Sequence, residues 1–216
     1  MLPVLPAVAG LVPGAGLQRG ASVATRGPGA TALALALVAG ASAGGSWIAV
    51  VGASSLGLLA AAELGVCLER MVLIGSPEPS AWSTVVAALL DAFDVVMVCP
   101  EHRIRPVDQR RLQARCRERG AVLVQAGGRP DAWPELPELR LTVLAQAWRG
   151  LGRGHGHLQT RRVTVEVTGR RQAARARRVE LWLPGPDGRV APVVASSTSR
   201  SAPPADAVAV PLREVG

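Results

Sequence analysis

From residue 27 to residue 62 the sequence carries no charged side chain. A run of this length could span a lipid bilayer. Its interior, however, is interrupted by small residues that break regular structure: Gly40, Gly44, Gly45, Ser46, Gly52, Ser54, Ser55 and Gly57. These residues divide the run into helix-length and strand-length pieces, which is the pattern of a buried parallel sheet. We therefore expect an α/β core here and no membrane span.

Strand and helix patterns alternate through the first 125 residues. The sequence predicts strands at 21–26, 47–51, 71–74, 94–98 and 121–124, with helices at 31–43, 56–66, after Ser80 and from Pro106 to Gly120. Ser80 is the expected cap of the third helix, and Pro106 opens the fourth. Alternation at this spacing favours a right-handed parallel α/β sheet.

The pattern changes towards the C-terminus. Residues 139–144, 162–168 and 179–183 read as strands with little helix between them, which predicts an antiparallel β extension at one sheet edge. We assign residues 1–10 to an N-terminal extension and residues 11–184 to one domain whose part 139–184 is the β extension. The remaining residues, 185–216, are rich in Pro, Ser, Ala and Gly and are expected to be disordered.

The chain is strongly basic, and all of its basic side chains are arginine. Its 216 residues include 24 Lys plus Arg, of which none is lysine, and its net charge is +8. Arginine pairs well with phosphate and carboxylate, so segment 149–178 is a candidate surface for the DNA backbone or for a protein partner. The alternative is a solvated basic hairpin in an arginine-biased protein, and both interpretations stay open. The candidate residues are Arg153, Arg161, Arg162, Arg170, Arg171, Arg175, Arg177 and Arg178.

Other residue types exclude several functions. Three cysteines without a C-x-x-C pair, together with His155 and His157 on a glycine-rich stretch, give no recognisable metal site. The apolar N-terminus lacks a basic segment and contains three prolines, so a signal peptide is not expected. We expect a cytoplasmic protein with no cofactor. One phenylalanine, no tyrosine and five tryptophans favour a protein partner over single-stranded DNA.

The uncharged run begins with a glycine turn, residues 27–29, between a strand and a helix, as in a phosphate-binding loop. Such a loop has the spacing G-x-x-x-x-G-K-[ST], in which backbone N–H groups and a lysine hold the phosphates. Here one residue separates Gly27 from Gly29, Ala30 stands in place of the lysine, and only the hydroxyl of Thr31 remains. Residual phosphate binding is one interpretation; an ordinary tight turn is favoured. If a cation replaced the lysine, Arg26 is the nearby candidate.

Three segments resemble the RecA recombinase family. Leu-Gln-Arg-Gly at 17–20, followed by Gly-Pro at 27–28, resembles the entry to the family's Walker A loop. Leu-Gly-Val at 64–66 resembles the turn after its second strand, and 94–99 is similar to the strand that carries Walker B. The likeness covers about residues 11–183. It implies a RecA-like sheet, mainly parallel and flanked by helices.

The positions that perform chemistry in this family are altered. The Walker B aspartate corresponds to Cys99, which does not hold the water shell of Mg²⁺ as a carboxylate does. The glutamate that activates water falls at about Ser54. The two DNA-binding loops are shortened, to about 100–106 and 126–138, and no counterpart of the polymerisation helix precedes Leu11. The resemblance therefore implies a pseudo-ATPase that is not an enzyme.

Within the superfamily, an arginine-rich chain with an altered nucleotide site resembles the ImuA-type accessory proteins of bacterial SOS mutagenesis. The segments that carry this likeness are 148–157, 161–163 and 178–184. The resemblance implies a scaffold in translesion synthesis whose partners are a Y-family-like polymerase homologue and an error-prone C-family DNA polymerase. Two alternatives remain: a cell-division inhibitor of the SulA type and a divergent nucleotide-binding ATPase.

Overall fold

A computed structural model describes residues 1–127, 132–133, 136–151, 156–170, 173 and 175–193. Its centre is a nine-stranded sheet in the order β11-β10-β9-β8-β3-β7-β6-β4-β5, and β1 and β2 form a separate pair. The strands are β1 (Leu2–Pro3), β2 (Gly16–Leu17), β3 (Ser22–Arg26), β4 (Ile48–Val51), β5 (Met71–Ile74), β6 (Val95–Val98), β7 (Val122–Ala126), β8 (Leu139–Leu151), β9 (Gly156–Gly169), β10 (Arg177–Trp182) and β11 (Ala191–Pro192).

The sheet has a parallel part and an antiparallel part. Strands β3 to β8 run parallel to one another, whereas β9, β10 and β11 add to the β8 edge in antiparallel pairs. The architecture confirms the predicted α/β fold with a C-terminal antiparallel extension. The extension is longer than expected, because β8 and β9 form a hairpin that continues well beyond the end of β3.

Helices cover both faces of the sheet. They are α1 (Ala30–Ala43), α2 (Leu58–Glu63), α3 (Pro79–Ala92) and α4 (Pro106–Arg119). Helix α1 is buried on nearly all sides, which explains why it contains no charged residue. Among the described residues, no helix is both long enough and apolar enough to cross a membrane.

Helices α3 and α4 pack on the second face, where Trp82, Leu90 and Leu112 are buried against β6 and β7. The prediction that Ser80 caps α3 is wrong: the helix begins at Pro79, and Ser80 lies inside its first turn. Proline suits this first position because its missing N–H would have no partner there. The bounds expected for α4 are confirmed, since it begins at Pro106 and is followed by a left-handed glycine.

The N-terminal residues 1–10 are an integral part of the domain and not an extension from it. Strand β1 pairs with β2, and Val8 is completely buried in the main core. Gly40 of α1 lies so close to the backbone of Val4 that a Cβ at this position would overlap it. The apolar N-terminus therefore covers the outer side of α1, a role that its sequence alone did not indicate.

The expected disordered tail begins later than predicted. Residues 185–193 are described, and β11 pairs with β10 within them. The backbone N–H of Gly185 donates to the carbonyl of Arg189 at 2.7 Å, and Val190 is buried beside the core. These contacts satisfy backbone groups and bury apolar area, which overrides the turn-rich composition of this stretch. Residues 194–216 lie outside the described part of the chain.

Candidate functional site

The glycine turn lies where the sequence placed it, between β3 and α1. Gly27 and Gly29 have φ angles of +86° and +76°, in the left-handed region that favours glycine. Gly29 is also the N-terminal cap of α1, with no side chain available to cap the helix. The intervening Pro28 offers no backbone N–H. The turn therefore presents few donors to a phosphate, in agreement with its short spacing.

The outer side of the glycine turn is covered by the β8–β9 hairpin. A Cβ added to Gly27 would overlap the carbonyl oxygen of Val143 in β8. A Cβ added to Gly29 would overlap the guanidinium of Arg161 in β9. Glycine is therefore needed at both positions for two reasons. The backbone is left-handed there, and the β8–β9 hairpin leaves no room for a Cβ. The space next to Gly29 is filled by a side chain of the protein itself.

Arg161 is held in this place by the surrounding chain. The residue is only 7% exposed. Its Nε donates to the carbonyl of Leu183 at 2.5 Å, its Nη1 donates to Oε1 of Gln146 at 3.4 Å, and its guanidinium lies 5.0 Å from the ring centre of Trp148. Burial lowers the pKa of Arg161 from its ordinary value. An arginine remains charged nevertheless, so the fold holds a buried cation against neutral partners.

Arg26 does not take the position expected for a replacement of the lysine. Its guanidinium donates to the carbonyl of Gly127 at 2.9 Å and to Oε1 of Gln125 at 2.6 Å, at the end of β7. Burial, and secondly the charge of Arg140, lower the pKa of Arg26. The guanidinium that contacts Gly29 belongs instead to Arg161, which the sequence analysis assigned to a partner surface.

Cys99 and Ser54 follow β6 and β4, whose carboxyl ends lie at the same sheet edge as the glycine turn. The backbone N–H of Cys99 donates to the carbonyl of Val51 at 2.9 Å, and its thiol is partly buried. Burial, with a smaller contribution from Glu101, raises the pKa of the Cys99 thiol to about 11. The thiol is therefore protonated at neutral pH and is a poor metal ligand. Ser54 is exposed in a turn.

The remaining basic candidates do not form one uniform surface. Arg162 pairs with Glu180 at 2.5 Å, and Arg178 lies 3.7 Å from Glu166. Arg177 donates to the carbonyl of Gly10 at 3.2 Å and so ties β10 to the N-terminal segment.

Other members of the set have different positions. Arg170 and Arg175 are exposed. Arg149, the first residue of the basic segment 149–178, has its guanidinium 5.3 Å from the ring centre of Trp182. Arg153 and Arg171 lie outside the described residues. In the part of the chain that the structure describes, no group of three or more His, Cys, Asp or Glu could hold a metal ion.

Arg161, predicted as a candidate for binding a partner or DNA, is buried in the folded chain, with its side chain on the inner face of β9. The sequence contained a signal for this. Arg161 is in phase with Val163, Val165 and Val167, which alternate along β9 and are all buried. Side chains two apart on a strand share a face, so the period of two places Arg161 on the inner face.

The mainly parallel sheet flanked by helices is a RecA-like fold. A crystal structure of the RadB recombinase matches with a TM-score of 0.60 and 15% sequence identity, over 88% of this chain and 97% of RadB. The flagellar accessory protein FlaH from Methanocaldococcus jannaschii matches with a TM-score of 0.54 and 12% identity, over 84% of this chain and 93% of FlaH. At these identities the likeness concerns the fold.

The chain belongs to the family of the MT3502 N-terminal domain, whose model matches residues 10–135. An uncharacterized protein of Mycobacterium tuberculosis, Rv3395c, is 37% identical over 102 residues, which are 46% of this chain and 49% of that protein. The match therefore spans about half the length of this curated relative. The range of the family model includes the glycine turn, residues 27–29.

Proposed function

We propose that this protein is a RecA-like pseudo-ATPase that acts as a scaffold in DNA-damage-induced mutagenesis. The observation that carries the non-catalytic part is the packing of Arg161 against Gly29. A phosphate-binding loop works by leaving its N–H groups open to the ligand. Here the adjacent space holds a buried side chain whose Nε and Nη1 donate to Leu183 and Gln146.

Two further features support the absence of ATP hydrolysis. The thiol of Cys99 stays protonated at neutral pH, so it offers no negative charge to Mg²⁺. Ser54 offers a hydroxyl where the hydrolysing relatives use a carboxylate, and a hydroxyl is a weak general base at neutral pH. With nucleotide chemistry removed, a RecA-like frame retains its surfaces for binding other molecules.

The proposal of a polymerase scaffold rests on the resemblance of segments 148–157, 161–163 and 178–184 to ImuA-type proteins. The proposed partners are a Y-family-like polymerase homologue and an error-prone C-family DNA polymerase. Three of the described exposed arginines of the β extension, Arg149, Arg162 and Arg178, place positive charge on its outer face, where Glu180 and Glu166 offset part of the charge of Arg162 and Arg178. Such charge suits an acidic protein surface or, secondarily, the DNA backbone.

Recovery of partners from DNA-damaged cells tests this proposal. The tagged full chain should recover polymerase components, and deletion of its gene should lower the frequency of damage-induced mutation. The combined substitution Arg149→Glu, Arg162→Glu and Arg178→Glu should reduce recovery at least about tenfold, because it reverses three exposed charges. The matched control, Arg103→Glu, Arg111→Glu and Arg117→Glu, reverses three exposed charges near or on α4 and should leave recovery unchanged.

Three outcomes would contradict the proposal or redirect it. Absence of polymerase components, together with an unchanged mutation frequency after deletion, would reject the scaffold. Filamentation of cells on overexpression without any polymerase would instead favour the inhibitor of cell division. Equal recovery by both triple variants would remove the β extension from the partner surface.

A divergent ATPase is the second candidate, because the same observation can be interpreted in its favour. Arg161 places a guanidinium beside the N-terminal end of α1, where an anion is stabilised by the helix dipole. In that case Arg161 would serve as the cation that the turn lacks. The two interpretations make opposite predictions for nucleotide binding, since the pseudo-ATPase requires Arg161 to exclude the phosphates.

A further inference from the structure

Away from the glycine turn, three polar side chains meet on the sheet face opposite to α1. Gln125 of β7 and Arg140 of β8 both stand opposite Ala24 of β3, and Arg26 lies two residues further along β3. Residues opposite each other in register, or two apart on one strand, share a sheet face. Three neighbouring strands therefore bring two guanidinium groups and one carboxamide together.

The donors of this cluster exceed its acceptors. Arg26 donates to Oε1 of Gln125 and to backbone carbonyls, all of which are neutral. The Nε of Arg140 and the Nε2 of Gln125 are both buried and have no hydrogen-bond partner. Gln125 is only 3% exposed, so water does not satisfy its amide from the surface. Buried donors without partners are costly and rare in native proteins.

The charges of the cluster are likewise not balanced by the described chain. Neither Arg26 nor Arg140 forms a salt bridge with a described carboxylate. Glu166 lies on the same face of β9, but it is 3.7 Å from Arg178. The charge of Arg140 is one cause, after burial, of the lowered pKa of Arg26, so the two cations repel each other. An anion placed between them would remove this repulsion.

A pocket opens beside Arg140. Its volume is about 230 Å³, and a second arginine from the end of β9 lines it. The pocket is bounded by Leu136, Pro137, Arg140, Thr168, Gly169 and Arg170, which include no carboxylate. The lining includes two arginines and one threonine, residue types whose N–H and O–H donors suit a tetrahedral oxyanion. We call it the Arg140 pocket.

We propose that the Arg140 pocket binds a phosphate group, held by Arg140 and Arg170 and supported by Arg26 through its charge. The ligand supplies negative charge and oxygen acceptors to the guanidinium of Arg140, which lines the pocket. This site is separate from the glycine turn and does not depend on nucleotide hydrolysis or on a polymerase partner.

Calorimetric titration of the full chain with inorganic phosphate, against chloride of equal ionic strength, tests the proposal. We expect saturable binding with a Kd of about 1 mM or below. Arg140→Met should weaken it about tenfold or more, because one charge-assisted hydrogen-bond donor is lost. Arg170→Met, at an exposed residue whose replacement leaves the core intact, should weaken it several-fold. The matched control is Arg111→Met, which removes the same charge from an exposed position on α4.

A second arm identifies the source of the phosphate. A short single-stranded oligonucleotide is titrated into the same variants. If Arg140→Met weakens oligonucleotide and phosphate binding in parallel, the site takes a strand backbone. If only phosphate binding falls, the site takes a small phosphorylated ligand. Either result supports the pocket.

Two results would overturn the proposal. One is the absence of saturable phosphate binding by the unaltered chain at tens of millimolar phosphate. The other is equal phosphate binding by Arg170→Met, Arg140→Met and Arg111→Met. Equal binding would mean that phosphate responds to the net positive charge of the protein and not to the Arg140 pocket. If Arg140→Met fails to fold, Arg170→Met decides the test, because Arg170 is exposed and its replacement leaves the core intact.

Discussion

Arg161 and Arg140 both lie on the β8–β9 hairpin, but they differ in whether their side-chain donors have acceptors within the fold. Arg161 directs its donors to a carbonyl and an amide oxygen and lies against an indole ring. Arg140 keeps a buried Nε without a partner and lies beside a second cation and an open pocket. Arg161 makes its hydrogen bonds within the fold, whereas the buried Nε of half-buried Arg140 is left without an acceptor.

The largest expected effect comes from reversing the charge of Arg161. Arg161→Glu would remove the two hydrogen bonds that Arg161 donates and would bury a carboxylate beside the carbonyl of Leu183, and should lower the free energy of unfolding by about 3–5 kcal/mol. Urea unfolding followed by circular dichroism measures this. Arg162→Glu, one residue along the strand and exposed, is the control and should cost about 1 kcal/mol or less. Equal losses would show that Arg161 is not buried.

A double-mutant cycle tests the contact between Gly29 and Arg161 directly. Gly29→Ala should cost about 2–3 kcal/mol, because it combines a left-handed φ of +76° with overlap of the guanidinium. In an Arg161→Ala background only the backbone strain remains, so the cost should fall to about 1 kcal/mol. Additive losses would mean that the two residues do not touch.

The smallest effect concerns Cys99 and pH. Its folded pKa of about 11 lies above the ordinary value of 9.0, so the unfolded chain releases this proton first as pH rises. The stability that the protonated Cys99 thiol gives the folded chain is therefore fully present below pH 9.0. It is lost as pH rises from 9.0 to about 11. At pH 10 we expect Cys99 to have lowered the free energy of unfolding by about 1 kcal/mol.

The measurement is the difference in unfolding free energy between the unaltered chain and Cys99→Ala across this pH range. The difference isolates Cys99 from the buried Cys116, whose thiol pKa is raised to about 12 by burial. A pH-independent difference would contradict the assignment of a protonated, partly buried thiol.

The sequence predicted the parallel sheet well because the pattern of each core element is local. The bounds of β5 and α4, for example, follow from an apolar run and from the proline and glycine that bracket a helix. The roles of Arg161 and Arg140 could not be read in this way. They depend on strand register, which brings Arg161 beside a turn more than a hundred residues earlier in the chain. Residues 1–10 and 185–193 were misassigned for the same reason, since their partners are distant in sequence.

The pseudo-ATPase account is tested most directly by calorimetric titration of the full chain with millimolar ATP and Mg²⁺. The titrated chain carries Arg170→Met, which weakens the Arg140 pocket, so that binding at the glycine turn is what remains to be detected. The account predicts no saturable binding, because Arg161 occupies the space beside Gly29. Saturable ATP binding that persists with Arg170→Met and is lost when Arg161→Met is added would contradict it, and would make Arg161 the cation of a working nucleotide site.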